Sequence, residues 1–137
     1  KLRMVLAGSG PAEDYLKKSM PDAIFLGWVD HSKLPQIYSS ADMLILPSKF
    51  DTFGCVVLEA LSCSLPVISY NTKGPREIIE NGVCGYAVAN RREMIQQCAA
   101  FFRDKKLREK MKKGAVERSR YFSKERIMKE FLSDISL

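Results

Sequence analysis

Short apolar runs recur along the first two thirds of the chain: MVLAG (4–8), AIFLG (23–27), MLILP (43–47), PVISY (66–70) and GYAV (85–88). Each is four or five residues long, largely free of polar interruption, and bounded by Gly, Pro, Asp or Asn. Continuous apolar runs of this length suit strands buried on both faces, as in a parallel sheet. Between them, residues 11–20, 32–40, 54–64 and 75–81 carry helix-like spacing. Strand alternating with helix predicts an α/β fold built on a doubly wound parallel sheet. From about residue 91 the pattern is helical only, with a break expected near Tyr121–Ser123. The expected organisation is one domain, with an α/β core over 1–90 and a helical C-terminal extension over 91–137. No internal repeat, low-complexity stretch or linker interrupts it, and the chain opens directly on a strand.

Composition narrows the class without changing this picture. With 137 residues, 46% hydrophobic and 28% charged, the chain suits a single ordinary globular domain. No apolar run approaches the roughly 18 residues of a membrane-spanning helix, and nothing resembles a signal peptide. Cys55, Cys63, Cys84 and Cys98 form no CxxC pair, and His31 is the single histidine, so no metal site is expected. The cysteines read as buried thiols of a reducing compartment, and a cytoplasmic location is expected. Residues 1–90 hold 8 basic and 9 acidic side chains, whereas 91–137 hold 14 and 7, so the net +6 resides entirely in the tail. Acidic residues interleave there at helical spacings, which marks a solvated helix face, and specific binding of nucleic acid is not expected.

In open α/β sheets ligands bind beyond the carboxyl ends of the strands, next to helix N-termini. Three strand ends carry suggestive chemistry. Gly8-Ser9-Gly10-Pro11 follows the first; it is either a plain strand-to-helix turn or a phosphate-binding one, and it lacks the third glycine of the dinucleotide fingerprint. Gly27-Trp28-Val29-Asp30-His31-Ser32 follows the second, where Trp28 offers a flat apolar surface and Asp30 or Ser32 suits a helix N-cap. His31 has no partner that would make it a metal ligand or a base.

The third strand end, Pro47 to Leu61, is the most informative. A polar stretch, Ser48 to Thr52, leads into Phe53-Gly54 and an apolar helix whose first N–H groups and positive dipole end suit an anion or a sugar oxygen. Glu59 is the sole charged side chain between Gly54 and Ser64. Two accounts of it stay open: an outward-facing residue sharing a stripe with Ser62, or a carboxylate paired with a ligand.

At these residues the sequence resembles the donor-binding half of the group 1 (family 4) retaining glycosyltransferases of the GT-B fold. The matching run is PSKFDTFGCVVLEALSCSLPVI (47–68), with Asp51 and Glu59 at the spacing of the family's paired acidic residues and Phe53-Gly54 inside the spacer. AGSGP (7–11), FLGWVD (25–30), IYSSADMLILPS (37–48) and GPREIIENGVCGYAV (74–88) extend the resemblance over most of the chain. It implies a Rossmann-like core that binds a nucleotide-diphosphate sugar. Glu59 would receive the ribose hydroxyls, since a carboxylate accepts bidentate bonds from a vicinal diol. Asp51 would hold a hydroxyl of the transferred sugar. Backbone N–H groups of Phe53, Gly54, Cys55 and Val56 would cradle the sugar and distal phosphate. Trp28, Val29 and Asp30 would line the nucleobase pocket, with Gly8 and Gly10 on the floor of the cleft.

The implied reaction moves a hexosyl group to a saccharide or lipid-linked acceptor with retention at the anomeric carbon, and requires no metal or other cofactor. Asp51 is one methylene shorter than the Glu usual at its position, which shortens its reach by about 1.5 Å. The family's diphosphate-gripping Arg and Lys, and its acceptor domain, precede the region that matches. The chain therefore reads as a fragment lacking the first strand–helix unit and the acceptor half, inactive alone. The last helices would pack toward that half through Phe101, Phe102, Leu107, Met111, Phe122, Ile127, Met128, Phe131 and Leu132, and the tail's basic face would make a peripheral membrane contact. Two alternatives remain: a non-catalytic nucleotide or polyanion-binding module, and half of a nucleotide-sugar epimerase.

Overall fold

The computed structural model describes residues 2–135, and the chain divides into two compact units, Lys1–Gln36 and Ile37–Leu137. Residues 1, 136 and 137, the outermost positions of the expected core and helical extension, lie outside the described residues.

The first unit contains β1 (Val5–Leu6), α1 (Glu13–Ser19), β2 (Ile24–Phe25) and a 3-10 turn (His31–Lys33) that runs into α2 (Leu34–Ser40). β1 and β2 pair in parallel, Val5 opposite Ile24 and Leu6 opposite Phe25. α1 places Glu13 and Asp14 in its first turn and Lys17 and Lys18 in its last, matching the helix dipole. Lys17 Nζ lies 2.7 Å from Glu13 Oε1, one turn away. No described residue of this unit is fully buried, because two short strands and a short helix carry too little apolar surface to enclose a core.

The second unit begins within α2 and continues through β3 (Leu44–Leu46), α3 (Cys55–Ser62), β4 (Val67–Tyr70), α4 (Lys73–Ile78), β5 (Gly85–Val88), α5 (Arg91–Arg103), α6 (Lys105–Tyr121) and α7 (Lys124–Ile135). β3, β4 and β5 form a parallel sheet in that order, with β4 central. Leu44 faces Val67, and Ile68 faces both Ile45 and Tyr86.

Successive residues of β4 feed opposite cores. Val67 packs with Val57, Ala60 and Leu61 of α3, Ile78 of α4 and Ala115 of α6. Ile68 packs with Val88 and with Met94 of α5. Helices thus cover both faces, which is the physical reason PVISY shows no polar alternation. Ser69, the one buried polar residue of the strand, donates its hydroxyl to the Tyr70 carbonyl at 3.0 Å. Each fully buried side chain such as Leu61 contributes about 1.5–3 kcal/mol relative to exposure.

The helix ends show where the chain pattern misleads. α4 starts at Lys73, not at Pro75, and stops at Ile78, where Ile79 turns extended. Pro75 sits in the first turn, where its missing N–H leaves no helical bond unmade. The helical tail breaks twice. The expected break lies between α6 and α7, and a second falls at Asp104, whose Oδ1 accepts from Leu107 N at 3.1 Å and caps α6. α5 starts on Asn90, which accepts from Glu93 N at 3.0 Å while Glu93 accepts from Ala89 N at 2.9 Å.

Two of the tail's basic residues serve these helix ends. Arg108 Nη1 donates to the carbonyl of Phe102 at 2.7 Å, and Arg118 donates to the carbonyls of Ile78 at 2.7 Å and Glu77 at 3.0 Å. The last turns of α5 and α4 are thereby satisfied by cations from α6. The expected burial of all four thiols does not hold: Cys84 is buried, Cys63 and Cys98 are intermediate, and Cys55 is exposed because it is the first residue of α3. Of the expected apolar tail faces, Phe101 and Met111 are buried, whereas Ile127, Met128, Phe131 and Leu132 on α7 are exposed. Among the described residues no helix is long and apolar enough to cross a membrane.

Candidate functional site

After β3 the chain runs through a polar loop braced by its own side chains. The Ser48 hydroxyl donates to the Phe50 carbonyl at 2.8 Å and accepts from Phe50 N at 3.4 Å. Asp51 Oδ1 accepts from Phe53 N at 3.1 Å, closing a turn of the kind short Asp side chains make two residues on. The Asp51 carbonyl accepts from Gly74 N at 3.2 Å, which ties the loop to α4.

Gly54 then starts α3 in a left-handed conformation, φ +89°, with no side-chain cap. Its carbonyl accepts from Val57 N at 2.9 Å and Leu58 N at 3.3 Å. The N–H groups of Gly54, Cys55 and Val56 meet no acceptor among the described residues. The result is a short row of free donors at the positive end of a helix. The Phe53 N–H, expected in the same row, is occupied by Asp51. Around the row, Phe50, Phe53 and Val56 are exposed.

Two glycines hold this turn in place. A Cβ on Gly54 would stand 3.2 Å from Ile78 Cδ1. A Cβ on Gly74 would stand 2.4 Å from the carbonyl carbon of Phe53, closer than any real contact allows. The space saved at Gly54 is thus filled by the protein's own α4.

Glu59 sits four residues after Cys55, about 6 Å further along α3 and on the same side. It is neither fully exposed nor isolated: it is half-buried, and its Oε2 accepts from the Tyr38 hydroxyl at 3.1 Å. Among the described residues Tyr38 is the single hydrogen-bonding partner of this carboxylate. Ser62 lies on the exposed side and donates to the Glu59 carbonyl at 2.7 Å. Burial, and then the negative charge and hydrogen bond of Glu59, push the Tyr38 hydroxyl up to about 12. Tyr38 is not among the site residues expected from the sequence: it lies 21 residues before Glu59, inside the IYSSADMLILPS block, and its physical signal is an aromatic ring with a polar tip.

In the first unit, Gly8 N donates to the Gly27 carbonyl at 2.7 Å, an isolated antiparallel bridge just past β1 and β2. The Gly10 carbonyl accepts from Glu13 N at 3.0 Å, and nothing lies within 4 Å of a Cβ built at Gly8 or Gly10. Asp30 caps the 3-10 turn: it accepts from the Ser32 hydroxyl and from Ser32 N, the latter at 2.9 Å. Those two bonds, the hydroxyl's first, hold its carboxyl below the usual range. Trp28 is 75% exposed and Val29 half-buried. A depression of about 420 Å³ lined by Leu2, Arg3, Asp22 and Ile24 contains none of the candidate residues.

A sheet covered on both faces, with a helix start of free amides beyond a strand end, is the plan of a nucleotide-binding α/β domain. The chain belongs to the group 1 glycosyl transferases: the family model described as "Glycosyl transferases group 1" matches residues 1–118. It is 37% identical over 84 residues to a GDP-mannose-dependent alpha-mannosyltransferase of Corynebacterium glutamicum, covering 61% of this chain and 20% of that protein. It is 30% identical over 122 residues to the alpha-D-kanosaminyltransferase of Streptomyces kanamyceticus, covering 83% and 32%. Among solved structures it is similar to the pneumococcal O-GlcNAc transferase GtfA, in complex with UDP and GlcNAc, with a TM-score of 0.82 and 20% identity over 97% of this chain and 29% of that one. It is likewise similar to Anabaena HepE in complex with UDP, with a TM-score of 0.79 and 22% identity over 96% and 40%. These likenesses show the fold, that of one half of a GT-B enzyme. The chain spans about a fifth to a third of the length of these two curated relatives.

Proposed function

We propose that the second unit forms the donor site of a retaining sugar transferase and binds a nucleotide-diphosphate sugar. The observation that carries this reading is the juxtaposition on α3: three N–H groups without acceptors at Gly54, Cys55 and Val56, and one turn later a half-buried carboxylate, Glu59. The amides and the helix dipole suit the distal phosphate, and the carboxylate suits the ribose diol. Asp51 would take a hydroxyl of the sugar after releasing the Phe53 N–H, which would then join the row. The relatives named for GDP-mannose dependence and the structures holding UDP support a nucleoside diphosphate as the common element of the donor.

In the reaction the bond from the anomeric carbon to the diphosphate oxygen breaks. An acceptor hydroxyl oxygen bonds to the same face of that carbon, and its proton passes to the departing phosphate. The protein's part is to hold the donor and stabilise charge growing on the leaving group, without a metal. The saccharide or lipid-linked acceptor would be held by a further domain. In the first unit, Trp28, Val29 and Asp30 would meet the nucleobase and Gly8 and Gly10 would form the floor of the cleft; alanine substitution at Trp28, which should weaken nucleotide binding, tests the first of these roles.

Calorimetric titration of the chain with GDP-mannose, UDP-glucose and ADP-glucose tests the reading. One of them should bind, and Glu59→Ala should weaken it on the order of tenfold or more, the scale of a lost charge-assisted pair. Equal affinity in the mutant would contradict the proposal.

A further inference from the structure

We infer that Tyr38 is a positioning residue for the donor nucleotide: by donating its hydroxyl to Glu59 Oε2 it fixes the carboxylate in the orientation that receives the ribose diol. The inference rests on the donor-site reading and adds to it a residue from a different helix.

Glu59 has three side-chain torsions and would lose much rotamer freedom on binding a ligand. The Tyr38 hydroxyl, 3.1 Å from Oε2, removes that freedom in advance. The phenol ring is itself held, packed against the buried core that includes Val57 and Leu61. One hydroxyl uses one lone pair of Oε2, so both carboxylate oxygens keep acceptor capacity for the two hydroxyls of a diol. A hydrogen bond to the ionised form also favours the charged carboxylate that such recognition needs. Were the pair merely a way to satisfy a half-buried acid, its loss would affect every ligand alike.

The test compares whichever of UDP and GDP binds more tightly with its 2′,3′-dideoxy analogue, on the wild-type chain and on Tyr38→Phe, which keeps the ring. The variant should bind the ribonucleotide about 3- to 10-fold more weakly, on the scale of one hydrogen bond, and the dideoxy form unchanged. Adding Tyr38→Phe to Glu59→Gln should produce little further loss. Equal losses for both ligands, or no loss for either, would overturn the inference. If Glu59→Gln itself fails to separate ribo from dideoxy ligands, the donor-site reading falls and the inference with it. If Glu59→Gln separates them and Tyr38→Phe does not, the inference alone falls. A ligand-free readout guards against weak binding: the NMR titration midpoint of Tyr38 should drop in Glu59→Gln, and an unmoved midpoint would overturn the inference.

Discussion

Gly54 answers two demands at once, a left-handed backbone at φ +89° and the side chain of Ile78 pressed to 3.2 Å of where a Cβ would stand. Gly54→Ala should therefore destabilise the fold by about 1–2 kcal/mol, read as a lower denaturation midpoint at unchanged slope. Tyr38 supplies a pH prediction. Its hydroxyl is raised from the ordinary value near 10 to about 12 in the fold, so the folded state holds the proton more tightly. The associated stability is fully present below pH about 10 and is lost as pH rises through about 12. Urea unfolding across that window should show a steeper alkaline loss for wild type than for Tyr38→Phe. At this scale the sequence marked the start of α3 and Glu59 as candidate chemistry, but not Tyr38 as the partner of Glu59. Asp51-Thr52-Phe53 is a legible turn signal in hindsight, because a short carboxylate followed two residues on by an N–H is a common closure. The Tyr38–Glu59 bond was not legible, since it joins two helices whose contact no local pattern specifies.

Among elements, the strands and most helices follow from apolar runs and their punctuation, and the departures have local causes. Asp104 was hidden because the apolar spacing continues through it, while its own side chain both ends one helix and caps the next. Asp104→Ala should cost about 1 kcal/mol, measurable by denaturation, and should fray the start of α6. The basic tail reads from its interleaved charges as a solvated helix face, and within it Arg108 and Arg118 donate to helix carbonyls while Lys112 Nζ lies 3.4 Å from Asp42 Oδ1. Arg118→Met should accordingly lower stability through the unsatisfied carbonyls of Glu77 and Ile78, by about 1–3 kcal/mol, rather than alter the affinity for phosphate compounds.

For the molecule as a whole, the α/β class was legible because both faces of β4 are covered and its run shows no polar alternation, Ser69 being its one polar residue. The division at Gln36 was not, since the second apolar run looks as strand-like as the fourth. What separates them is burial: Val67, Ile68 and Ser69 are at most 1% exposed, whereas Ile24 is 39% exposed. Amide exchange should reflect this, with Val67–Ser69 protected near the limit of global unfolding and Leu6 and Leu26 exchanging far sooner. The central claim is that the start of α3, with Glu59 behind it, holds the donor nucleotide. An amide-resolved NMR titration with UDP- and GDP-sugars addresses it most directly. Saturable shifts at Gly54, Cys55 and Val56 that persist at about 0.5 M salt and vanish in Glu59→Ala are the predicted result. Shifts confined to the exposed lysines of α6, such as Lys106 and Lys113, and abolished by salt, would contradict it.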